Sequence, residues 1–263
     1  MGNIDKLREK EALIKDIRTL LLAYKEGELG GEIMPEDCNP GLKPQSAENY
    51  LFFTLPMALN YQRNSYKLWE SATATYNDSD TNWVFTPKEV LRRQFEEVQE
   101  ALTKYKIALQ KNKQTEIWIR LCNTFSLEWK GDVRNIFIQN KFQIKKIKEC
   151  ILTDKKLYPY LSGNKILNYW LYVMGQYTDA EFMGREHISV APDTHVIQAS
   201  VRLGLIEEKE ADSDKVRLLV SKRWEDILKD TEINPIDIHT PLWLWSRSEF
   251  QFNINNYSNV TSL

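Results

Sequence analysis

Apolar residues return every three or four positions through most of this 263-residue chain, and almost nowhere every second one. Ile4, Leu7, Ile14, Ile17, Leu20, Leu21 and Tyr24 follow that spacing, and Gly27, Gly30 and Gly31 mark its end. A chain patterned in this way buries its stripes by packing helix on helix. The expected class is therefore all-α. After a loop from Pro35 to Pro44, Ser46 can cap a helix containing Leu51, Leu55, Leu59 and Gln62, with Pro56 kinking or breaking it. Thr86-Pro87-Lys88-Glu89 has a cap residue, a proline at the first helical position and a glutamate at the third. The pattern continues through Leu91, Phe95, Val98 and Leu102 to about Leu109. Further helices are expected near 114–126, 133–152, 164–178, 193–203, 222–230 and 235–247. Val216–Val220 reads as a short strand or a helix turn, and 176–190 as a loop.

Composition excludes several classes of protein. No apolar run approaches the ~20 residues of a membrane helix, and no basic segment followed by an apolar one suggests a secretory leader. Cys38, Cys122 and Cys150 are an odd, widely spaced set, which argues against a disulfide framework or a cysteine-only metal or iron–sulfur site. A cytoplasmic setting follows. His187, His195 and His239 form no HxxxH motif, so neither a metal nor a cofactor is expected. There is no P-loop, no GxGxxG and no GxSxG. The net charge of −2 hides an asymmetry: residues 130–168 hold nine basic and three acidic groups, a local +6. On charge alone that stretch reads equally as a solvated helix face or as a surface for an anion.

Two short segments carry chemistry. The first is Leu161-Ser162-Gly163-Asn164-Lys165-Ile166-Leu167-Asn168, between a lysine-rich helix (Lys141, Lys145, Lys146, Lys148) and an apolar one. Helix, tight glycine turn and helix allow backbone N–H groups to approach a phosphate, and the second helix adds a favourable dipole. The second is Pro192-Asp193-Thr194-His195-Val196, running on to Arg202-Leu203-Gly204-Leu205, where Asp193 suits a helix N-cap and Gly204 the position after its C-terminus. Either segment alone is explained by ordinary capping. Together they place a lysine and an aspartate at two helix starts. An amine can attack the C1′ carbon of a deoxynucleotide, a carboxylate can stabilise the oxocarbenium-like sugar, and the resulting Schiff base leads to β-elimination.

This pair of segments resembles the helix-hairpin-helix DNA glycosylase superfamily. Gly163-Asn164-Lys165-Ile166-Leu167-Asn168 is similar to its Gly-x-Lys-x-x-Asn/Asp hairpin, and Pro192-Asp193-Thr194-His195-Val196 through Arg202-Leu203-Gly204-Leu205 to its Asp-Thr-His-Val segment. The match covers residues 161–205. A fainter likeness, to the archaeal 8-oxoguanine glycosylase branch, spans most of the chain: Asn60-Tyr61-Gln62 with Trp69 resembles its N-terminal helix pattern, and Pro241-Leu242-Trp243-Leu244-Trp245 its C-terminal helix. The resemblance implies one two-lobed helical domain over 1–263, its lobes around a cleft, with a helix-hairpin-helix element at 141–178. It implies Lys165 as Schiff-base nucleophile and Asp193 as the essential carboxylate. Gln62, Tyr169, Trp243, Pro192 and His239 would hold the extruded base, with Asp237 the alternative to His239. Ser162, Gly163, Asn164 and His195 would meet the DNA backbone. The hairpin is shorter than the family's usual form, and the 28-residue lysine–aspartate separation implies an inserted loop at 176–190.

The expected activity is removal of an oxidised base, 8-oxoguanine first, with lyase cleavage of the strand. The expected partner is double-stranded DNA with a damaged base, met by a monomer with no membrane attachment, nucleoid-associated in a prokaryote. The alternatives are a catalytically inactive DNA-binding protein of the same build, or a glycosylase for an oxidised pyrimidine or a mismatch. From the residues themselves, Gln62 also reads as a solvated helix glutamine, and Tyr169 and Trp243 as core.

Overall fold

The computed structural model describes residues 8–30 and 34–257. It is all-α: among the described residues there is no strand, only an isolated bridge between Gln143 and Met183. The chain divides into two compact units, Ile33–Gly184 and Met1–Glu32 with Arg185–Leu263. Among the described residues no helix is long and apolar enough to cross a membrane. Helices are numbered along the chain, and α1 (Lys10–Lys25) belongs to the split unit. Ile4, Leu7 and Gly31, part of the first expected stripe and its stop, lie outside the described residues.

The continuous unit begins with a 3-10 turn at Pro35–Asp37. Helix α2 (Ala47–Thr54) follows, its first turn capped by Ser46, whose Oγ accepts the Asn49 N–H at 3.2 Å. Pro56 breaks this helix as its missing N–H requires: Pro56–Leu59 is a 3-10 turn, and Gln62 falls outside any helix. Then come α3 (Ser65–Asn77), a 3-10 turn at Asn82–Phe85, α4 (Pro87–Val90), α5 (Phe95–Lys104) and α6 (Lys111–Trp129). The unit ends with α7 (Arg134–Gln139), α8 (Ile144–Thr153) and α9 (Asn164–Tyr177).

Two expected helices are divided, and one helix is additional. The helix expected from Thr86 to Leu109 is two, because the Glu97 carboxylate accepts the Gln94 N–H at 3.0 Å, a bond that starts a new helix at Phe95. The helix expected over 133–152 is also two, divided where Lys141 and Phe142 take positive φ and the Phe142 N–H returns to the Phe137 carbonyl at 2.8 Å. Helix α3 was not foreseen: only Leu68, Trp69 and Ala72 supply its apolar stripe, amid polar residues.

Large rings fill the core of this unit. Phe52, Phe53, Trp69, Phe125, Phe137, Trp118 and Trp170 are fully buried, each worth roughly 1.5–3 kcal/mol or more of apolar burial. A buried indole N–H needs an acceptor. Trp118 donates to the Val84 carbonyl at 2.8 Å, Trp170 to Thr54 Oγ1 at 2.9 Å and Trp69 to Glu36 Oε1 at 2.9 Å.

The split unit joins α1 to α10 (Thr194–Arg202), α11 (Glu208–Ala211), α12 (Val216–Leu228), α13 (His239–Arg247) and α14 (Ile254–Tyr257), with a 3-10 turn at Pro235–Ile238. Val216–Val220 is therefore helical. Helix α10 packs on α13, and α1 packs on α12, α13 and α14. Leu13, Ile17, Leu20, Val196, Val220, Ile236 and Leu242 are buried. Trp224 of α12 donates to Ser200 Oγ of α10 at 3.0 Å. Gly204 follows the end of α10 with φ +75°, and the Leu205 N–H reaches the Ser200 carbonyl at 2.9 Å. This closure needs a residue that tolerates positive φ. Arg8 lies against Gly204, so that a Cβ there would stand 2.9 Å from Arg8 Cγ.

Candidate active site

The residues implicated from sequence fall in both units. In the continuous unit, Lys165 is the second residue of α9. Its ammonium opposes the positive end of the helix dipole, a placement that helix formation does not reward. The turn before it is closed on itself: Leu161 N–H donates to the Pro159 carbonyl at 2.7 Å, Ser162 N–H to Tyr158 at 3.0 Å and Gly163 N–H to Tyr160 at 2.9 Å. Glycine is favoured at 163 by close approach and not by φ, which is an ordinary −67°: a Cβ would sit 3.0 Å from the Tyr160 carbonyl oxygen, a tight contact. The positive φ of the turn falls instead on Tyr160, at 61°. The N–H groups of residues 161 to 163 are thus spent within the turn, and Ser162 Oγ lies 3.4 Å from the Lys155 carbonyl. No side chain caps α9, so an anion here would be met by the first-turn N–H groups that begin at Asn164.

Asn168 explains why this turn is held where it is. Buried, it donates through Nδ2 to the Asn164 carbonyl at 2.7 Å and accepts from Lys148 Nζ at 2.9 Å. Helix α8 is thereby tied to the first turn of α9. Lys141, Lys145, Lys146, Lys155 and Lys156 remain exposed on the segment of net +6.

Gln62 occupies an exposed bend with φ 50°, beside the exposed Tyr61. Tyr61 meets Tyr160 edge to face with centroids 5.5 Å apart, and Lys113 Nζ lies 5.2 Å from the Tyr160 ring centre. Tyr169, one turn after Lys165 on α9, is half-buried, and its hydroxyl donates to Glu36 Oε2 at 3.0 Å.

In the split unit, Asp193 is the N-cap of α10, as its sequence position suggests. Its Oδ1 accepts the Val196 N–H at 3.0 Å. Its Oδ2 accepts from Trp243 Nε1 at 3.1 Å. One carboxylate thus serves the helix start and an indole of α13. Trp243 is buried, with the His195 ring edge-on at 5.8 Å and the Arg247 guanidinium 5.0 Å from its ring centre. His195 Nδ1 lies 3.3 Å from Ser246 Oγ, whose own proton goes to Gln198 Oε1 at 3.0 Å. Pro192 and His239 are buried, and His239 is the first residue of α13. Asp237 is held by Arg185 at 2.6 Å and by Asn234 Nδ2 at 2.7 Å. The structure thus brings Asp193, His195 and Trp243 together, and commits Asp237 to an ion pair.

Sequence reasoning missed Glu36. It is 1% exposed and sits among aromatic side chains, and desolvation pushes its carboxyl up to about 7. The only local signal was the acidic pair after Pro35, which reads as an ordinary first turn. Among the described residues no cluster of three or more His, Cys, Asp or Glu side chains could hold a metal ion. Compared with known family models and with curated proteins, the sequence gives no match to either.

Proposed function

We propose that this protein is a DNA glycosylase with AP lyase activity, acting on an oxidised base, 8-oxoguanine first. The observation that carries the reading is that both implicated residues open helices in the manner their motifs require. Lys165 stands in the uncapped first turn of α9 behind a glycine turn, and Asp193 caps α10 with both oxygens oriented. In this reading Lys165 Nζ attacks C1′ of the damaged nucleotide as the base departs. The Asp193 carboxylate stabilises the cationic sugar, and the Schiff base that forms is resolved by β-elimination. The exposed lysines of α8 and the following turn supply phosphate contacts on a helix-hairpin-helix element, and Tyr169 offers an aromatic wall to the extruded base.

One observation favours a second reading. Both Asp193 oxygens already have protein donors, which suits a DNA-binding module in which the carboxylate is only a cap. Borohydride separates the two. Incubation with a duplex containing 8-oxoguanine opposite cytosine should reduce the imine to a stable covalent protein–DNA adduct, absent from Lys165→Gln. Binding without an adduct on any of a panel of oxidised-purine, oxidised-pyrimidine and mismatched duplexes would establish the module instead.

A further inference from the structure

Three elements of the continuous unit meet at Glu36. The 3-10 turn Pro35–Asp37 supplies the carboxyl group, α3 supplies Trp69 and α9 supplies Tyr169. Trp69 Nε1 donates to Oε1 at 2.9 Å and the Tyr169 hydroxyl to Oε2 at 3.0 Å. A second tether runs in parallel, the Tyr177 hydroxyl donating to Asp37 Oδ1 at 2.9 Å. Helix α9 is therefore bound to the acidic turn at two points two helical turns apart. Tyr169 follows Lys165 by four residues, which puts both side chains on one face of α9.

We infer that Glu36 is a positioning residue for the base-binding wall: by holding the Tyr169 hydroxyl it fixes that ring in one orientation, one turn from Lys165. The inference rests on the glycosylase reading and adds to it a residue that no motif marks. The chemistry of the three groups suits a rigid clamp. Indole is a donor only, so Oε1 must always accept. A phenol both donates and accepts, so the Oε2 contact survives whether or not Glu36 carries a proton. Among the described residues the ionisable groups facing the carboxyl are Asp37 on its own turn and Tyr169 and Tyr177 on α9. None of these is a cation, so nothing there forces the carboxyl to stay charged. A glutamine at 36 reproduces the protonated form, with its oxygen to Trp69 and its amide hydrogens to the phenol oxygen. A leucine reproduces the volume and neither bond.

The test uses the full-length protein with 3-fluorotyrosine in place of tyrosine. The Tyr169 line is assigned by its loss in Tyr169→Phe, and kinetics on the 8-oxoguanine duplex are measured in parallel with unlabelled protein. Glu36→Leu should move the Tyr169 line and raise KM about tenfold, the scale of one lost buried hydrogen bond, with kcat within about twofold. Tyr169→Phe, which removes a single hydroxyl and keeps the fold, should raise KM similarly. Glu36→Gln should leave both the line and KM near those of the native protein. The inference is overturned if Glu36→Gln is as impaired as Glu36→Leu, or if Tyr169→Phe leaves KM unchanged. If the native protein forms no covalent adduct with any lesion duplex, the glycosylase reading falls and the base-wall role with it. The fluorine line then judges the clamp alone: an unmoved line in Glu36→Leu refutes it.

Discussion

Burial raises the Glu36 carboxyl because desolvation outweighs its own backbone N–H, the Tyr169 hydroxyl and the Trp69 indole, all of which favour the charged form. The same burial, with the carboxyl beside it, holds the Tyr169 phenol well above its ordinary range. A carboxyl near 7 in the folded chain and 4.5 when unfolded binds more protons folded than unfolded between those values. Its contribution to stability is full below about pH 4.5 and is lost as pH rises through about 7. Other carboxylates titrate over the same range, so the informative quantity is the difference between the native protein and Glu36→Gln, which cannot ionise. Urea unfolding should show Glu36→Gln gaining on the native protein by roughly 2–3 kcal/mol between pH 5 and pH 8. An equal difference at both pH values would mean that Glu36 does not titrate in this window.

Helix α10 shows how a single residue can serve an element and a site together. Its start depends on the Asp193 Oδ1 bond to the Val196 N–H, and its end on the positive φ of Gly204. Replacing Asp193 by alanine removes the cap and leaves the Trp243 indole without its acceptor, a loss of about 1–3 kcal/mol. Asparagine caps nearly as well and still offers an oxygen, so Asp193→Asn should stay within about 1 kcal/mol of the native protein in urea unfolding. Its neutral side chain cannot stabilise a cationic sugar, so the borohydride adduct should be lost. Retention of the adduct in Asp193→Asn would reduce Asp193 to its capping role. Helix α9 contrasts with α10. No side chain caps it, and its first turn is held instead through Asn168 and Lys148 of the neighbouring helix.

The whole molecule is close to neutral but unevenly charged. Nine basic groups lie in residues 130–168 against three acidic ones, while residues 205–263 carry seven basic and eleven acidic. Of the basic groups, Arg134 is already committed to Asp132 at 2.6 Å and Lys148 is bonded to Asn168 at 2.9 Å. The exposed lysines of α8 and the turn after it are the groups that the proposed function assigns to phosphates. A duplex should then bind with a slope of log K against log salt of about −3 to −5, each phosphate contact contributing about −0.9. Changing Lys145 and Lys146 to alanine should flatten that slope by about 1–2. A slope indifferent to those lysines would place the DNA on another face.

Apolar periodicity alone determined the helical class, because an amphipathic stripe is a local property that helix packing must bury. The caps at Ser46 and Asp193, the stop at Gly204 and the break at Pro56 were legible for the same reason: donor, acceptor and forbidden N–H lie within a few residues of each other. The breaks at residues 91–94 and 140–143 were not, since the apolar pattern runs through them. In the first a local cap competes with helix continuation. In the second, neighbouring rings and the Gln143–Met183 bridge turn the backbone. The contacts that define the candidate site lie further still from local rules. Glu36 reaches Trp69 across 33 residues and Tyr169 across 133, and Asp193 reaches Trp243 across 50. A hydrogen bond over such distances exists only once packing has brought donor and acceptor together. Only the tertiary structure could therefore turn a glutamate after a proline into the shared acceptor of Trp69 and Tyr169.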